Sequence, residues 1–107
     1  MRKRYLTVIK NERGLEEYNY GVEESKNLQV YELLENEFEE LCRINVFRKI
    51  NNECNLMIDD FESELLNIED LRKIEKYLIN DISKVSKVFC AACLAALEIG
   101  VALGIDF

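Results

Sequence analysis

A chain of 107 residues, 49% apolar and 33% charged, is long enough to bury one hydrophobic core and too apolar to be disordered. Its formal charge of −7 excludes a general nucleic-acid binder, which needs a basic surface to neutralise phosphates, and favours capture of a basic partner. Histidine is absent, which removes the usual general base and the commonest metal ligand, and neither GxGxxG nor GxxxxGK[ST] occurs.

Met1-Arg2-Lys3-Arg4 has the charge of a signal-peptide n-region. The apolar run after it stops at Lys10, short of the roughly 7–15 residues a secretory signal needs. The expected location is therefore cytoplasmic, with thiols kept reduced. Residues 4–10 are rich in β-branched and aromatic members and predict a strand. Asn11-Glu12-Arg13-Gly14 reads as a turn, and residues 15–22, with Tyr18, Tyr20 and Gly21, as a second short strand.

Residues 27–44 read as a helix, with Leu28, Tyr31, Leu34, Phe38 and Leu41 on one face. On that wheel Leu33 points outward among Glu32, Glu39 and Glu40, with Glu35 close by in sequence. An apolar residue ringed by acids is the composition of a binding patch. Asn51-Asn52-Glu53 reads as a turn and Leu56-Met57-Ile58 as a short strand ending in Asp59-Asp60. Asp59, Asp60 and Glu62 belong to a second acidic block and join the partner-binding candidates. They lack the spaced ligands and mid-loop glycine of an EF-hand, so no metal is expected there.

Asn67 and Asp70 have the spacing of a capping box, with Leu66 and Leu71 placed for the hydrophobic staple. Ile68, Leu71, Ile74, Leu78 and Ile82 form the buried stripe of the helix that follows. Ser83 is the expected cap of a last helix over 84–99, which Gly100 or Gly104 would end in a left-handed conformation. Val88 to Ile105 approaches the length of a membrane span, but it contains Glu98 and consists largely of Ala and Cys. It reads instead as a central core helix, with Ala102–Phe107 as a final strand.

Cys90-Ala91-Ala92-Cys93 has the spacing of a dithiol or half of a zinc site, which Cys42 and Cys54 would have to complete. Its place inside an apolar run favours a packing role, since Cys and Ala let a helix approach its neighbours. Neither catalytic residues nor a cofactor are expected. The elements together predict one α+β domain over residues 1–107: a small sheet joins the first and last strands and three helices pack on it. An all-α bundle is the alternative.

The order YLTVI, YELLENEFEELC, NLMIDDF, EDLRKIEKYL and a small-residue helix running into GIDF resembles the immunity proteins of bacterial contact-dependent growth inhibition and related polymorphic toxin systems. The resemblance implies a protein that binds and neutralises the toxin domain of a cognate effector, often a nuclease. A nuclease has a basic cleft for phosphates, which an acidic protein can occupy. Three other readings stay open on the residues alone: a phage- or plasmid-encoded acidic inhibitor of a host nuclease, a small zinc or thiol protein, and an ordinary structural or oligomeric subunit. A membrane or a nucleic acid is not an expected partner.

Overall fold

The computed structural model describes residues 3–59 and 62–107. Strand β1 (Arg4–Ile9) is buried along nearly its whole length, which is why its sequence is apolar without alternation. Strand β4 (Ala102–Asp106) lies antiparallel beside it, so the first and last strands pair as expected. Strand β2 (Leu28–Leu33) adds to the outer side of β1, and β3 (Ser63–Asn67) to the outer side of β4. The result is an antiparallel sheet of order β2-β1-β4-β3 in an α+β fold.

Strand β2 and the segment 56–58 both correct the sequence reading. The segment 27–44 is half strand: Leu28-Gln29-Val30-Tyr31-Glu32-Leu33 joins the sheet, and helix α2 (Glu35–Arg43) begins only after Leu34. The three-and-four spacing of its apolar residues coexists with strand alternation, and pairing with β1 decides between them. Leu33 is therefore turned into the core, 2% exposed, and it is Leu34 that faces out, 51% exposed. Leu56-Met57-Ile58 is not a strand. Asn51 holds it in an irregular path, its side chain donating to the Ile58 carbonyl at 2.9 Å and accepting from the Ile58 N–H at 2.7 Å.

Residues 15–22 are likewise mostly helical, within α1 (Glu12–Asn19), whose start is fixed by the Asn11 side chain accepting from Gly14 N–H at 2.8 Å. Helix α3 (Val46–Cys54) is bracketed by Asn45 and Asn55, both left-handed, a conformation asparagine tolerates better than most residues. Helix α4 (Ile68–Tyr77) opens on the expected capping box of Asn67 and Asp70. Leu78 breaks the continuation into α5 (Ile79–Val85), and α6 (Lys87–Ile99) is capped by Ser86 rather than Ser83. Gly100 follows α6 in extended geometry, not left-handed. A side chain there would meet the Ile9 carbonyl at 2.9 Å.

The helices α2 to α6 share the core with one face of the sheet. Leu6, Val8, Leu33, Leu66, Leu103 and Ile105 meet Phe89, Ala92, Cys93 and Ala96 of α6, and the small residues of that helix allow the close approach. At one end Phe38, Phe47, Phe89 and Phe107 form an aromatic cluster with ring centroids 5.1–5.7 Å apart. Arg4 is sealed against it at 5% exposure. Its guanidinium lies 3.6 Å from the Phe38 ring centre, with Nε 3.1 Å from Glu35 Oε2. Among the described residues, no helix is long and apolar enough to cross a membrane.

Candidate functional site

The opposite face of the sheet is only partly covered. Register and strand alternation place its residues in three rows across the four strands. The first row is Leu28, Ile9, Ala102 and Asn67. The second is Val30, Thr7, Gly104 and Leu65. The third is Glu32, Tyr5, Asp106 and Ser63. Helix α1 covers the first row, where Ile9, Leu28 and Ala102 pack with Leu15, Tyr18 and Val101. The second and third rows lie beyond most of it, with Val30 49% and Leu65 37% exposed.

Tyr18 reaches from α1 across β4. Its ring occupies the space above Gly104, where any Cβ would overlap the phenol. Its hydroxyl donates to Asp106 Oδ2 at 3.0 Å, and Ser63 donates to Asp106 Oδ1 at 2.7 Å. Burial pushes the Tyr18 phenol well above the usual tyrosine range, helped by the facing Asp106 carboxylate. The phenol thus remains a neutral donor that fixes Asp106 in the third row.

Beside Tyr18 the chain leaves α1, turns at Gly21 (φ +79°) and runs through Val22, Glu23 and Glu24 toward β2. A polar knot around the buried Asn27 anchors this loop. The Asn27 carbonyl accepts from Lys10 N–H, its side chain accepts from Asn11 and donates to Glu17, and Ser25 donates to Glu17 at 2.7 Å. The hydrogen bonds from Asn27 and then Ser25 hold the Glu17 carboxyl below its ordinary value.

Loop and sheet enclose an open groove of about 760 Å³. Its floor is Tyr5, Thr7, Leu28 and Val30, and its walls include Tyr18, Val22, Glu23, Glu24 and Asp106. Among the described residues, no lysine or arginine lines it. The groove thus combines a largely apolar floor with an acidic rim.

The acids expected from sequence to form the interface do not assemble as one patch. Glu32 belongs to the third row of the open face and pairs with Lys3 at 3.7 Å. Glu35 engages Arg4, Glu40 engages Arg43 at 2.7 Å, and Glu39 is exposed on α2. Leu33, buried, cannot touch a partner. Glu62 is exposed at the start of β3 and Asp59 is exposed, while Asp60 lies outside the described residues. Glu32 and the start of β3 stand on opposite edges of the sheet, about 14 Å apart at the usual strand spacing. Sequence reading missed Tyr5, Val30, Glu23, Glu24 and Asp106. The alternation of 28–33 was the signal that would have placed Val30 and Glu32 on one face.

Cys93 is fully buried and its thiol is pushed far up by burial, while burial and then the Asp70 charge push Cys54 up to about 11. Such thiols are poor nucleophiles at neutral pH. Among the described residues, no three His, Cys, Asp or Glu side chains are grouped to hold a metal ion. No protein-family model matches the chain, and neither a curated protein nor a solved structure shows significant similarity to it.

Proposed function

We propose that this protein acts by binding: it is an immunity-type inhibitor that seats a basic toxin domain, a nuclease being the class best suited, against the open face of its sheet. One observation carries the reading. The groove on that face combines an apolar floor with Glu23, Glu24 and Asp106, and among the described residues no basic side chain lines it. A nuclease cleft holds lysines and arginines for phosphate, so the two surfaces are complementary, and complementary charge accelerates encounter more than it deepens affinity. The surplus of acids over the whole chain adds long-range steering of the same sign.

The test is co-expression with the C-terminal domain encoded by the adjoining gene. A one-to-one complex should co-purify, suppress that domain's toxicity, and associate more slowly as salt rises and the Debye length shrinks from about 10 Å at 0.1 M. No complex, or an association rate indifferent to salt, would count decisively against this function.

A further inference from the structure

β2 is an edge strand, and among the described residues its outer side meets no other strand. Its hydrogen-bonding phase follows from one contact. Lys10 N–H donates to the Asn27 carbonyl at 2.9 Å, and Lys10 stands opposite Asn27 one step beyond the Ile9–Leu28 pair. Opposed pairs in an antiparallel ladder alternate between bonded and non-bonded. Gln29, Tyr31 and Leu33 therefore direct their main-chain groups to β1, and Leu28, Val30 and Glu32 direct theirs outward. The Leu28 N–H agrees with this phase, since it donates to the Ser25 carbonyl at 3.2 Å rather than to β1. The outward side of β2 thus presents N–H and C=O groups of Val30 and Glu32. The side chains of these same residues lie on the open face, and Val30 forms part of the groove floor.

We infer that an extended, lysine- or arginine-bearing segment of the partner protein adds to β2 as a fifth strand, pairing with Val30 and Glu32 while its side chains enter the acidic groove. The inference rests on the proposed function and specifies how that site is used. Main-chain pairing supplies affinity, and the groove beside it supplies selectivity, the usual division of labour in strand addition. Charge identifies the occupant. Glu23 and Glu24 line the groove beside this edge and attract a basic strand, while Glu32 is already paired with Lys3. A second copy paired here would bring like-charged rims together, on chains each carrying −7.

Val30→Pro isolates the edge. It deletes the outward N–H and sets a ring against an incoming strand, yet leaves the β1 ladder of Gln29 and Tyr31 intact, and proline is tolerated on edge strands. The probe is the purified C-terminal domain encoded by the adjoining gene. Folded Val30→Pro should bind it at least about tenfold more weakly, a loss of roughly 1.4 kcal/mol. Glu23→Lys with Glu24→Lys should weaken binding independently. If the proline variant folds and binds normally while the charge variant does not, strand addition is overturned and the inhibitory function stands. Should Val30→Pro fail to fold, amide exchange in the native protein decides. On complex formation the Val30 and Glu32 amides should slow by about tenfold or more as they acquire hydrogen bonds, with the Leu28 amide protected in both states. Unchanged exchange at Val30 and Glu32 overturns the inference, as does a free protein that is already dimeric with those amides protected. Absence of any complex removes the function and this inference together.

Discussion

Tyr18 and Gly104 depend on each other. The glycine leaves room for the ring, and the ring holds Asp106 in the third row. Gly104→Ala should displace the ring and destabilise the fold by about 1–3 kcal/mol, the range for overpacking, measurable by urea unfolding. Tyr18→Phe should keep the packing, lose the bond to Asp106, and cost about 1 kcal/mol. The raised Tyr18 pKa has a definite sign. Its stabilising effect is complete below the unfolded value near 10 and is lost as pH rises toward the higher folded value. Of the five tyrosines, Tyr18 should ionise last in an ultraviolet titration, with alkaline unfolding. Glu17 behaves in the opposite sense. Its folded pKa is depressed, so its contribution is present above the ordinary carboxylate pKa and fades as pH falls through the lower folded value. The amides of Val22, bonded to the Glu17 carbonyl, and of Asn27, bonded to the Ser25 hydroxyl, should therefore lose exchange protection on acidification before the core does, loosening the groove wall.

At the level of elements, what was legible in the sequence was whatever depended on local chemistry. The Asn67–Asp70 capping box and the buried stripe of α4 were readable because a cap and a helical period are written within a few residues. The placement of both outer strands in the sheet was not local. Leu28–Leu33 satisfies helical and strand periods at once, and only β1 selects between them; Ser63–Asn67 is too short and polar to announce itself. Leu33 was misplaced for that reason, and the interface expected around it dissolved into separate ion pairs on Arg4, Arg43 and Lys3. The groove escaped notice because its parts come from β1, β2, β4 and the loop after α1. The aromatic cluster gives α3 its anchor. Phe47, in contact with Phe38, Phe89 and Phe107, should cost about 3–5 kcal/mol on replacement by alanine, seen as a lowered urea midpoint.

For the whole molecule, the sheet divides the labour. One face carries the core beneath α2 to α6, and the other is left partly open beside an acidic loop. The central pair of that sheet joins residues 4–9 to residues 102–106. These strands meet only after some ninety intervening residues have been gathered in, and loop closure must be met before the contact rewards it. The helices can form early, but the sheet cannot be completed until the two ends find each other. Refolding should therefore be slow for a chain with this much helix, on the millisecond-to-second scale of non-local topologies rather than the microseconds of helical bundles. Mixing experiments that follow Tyr18, which lies across that central seam, should see its burial arrive with the final cooperative step.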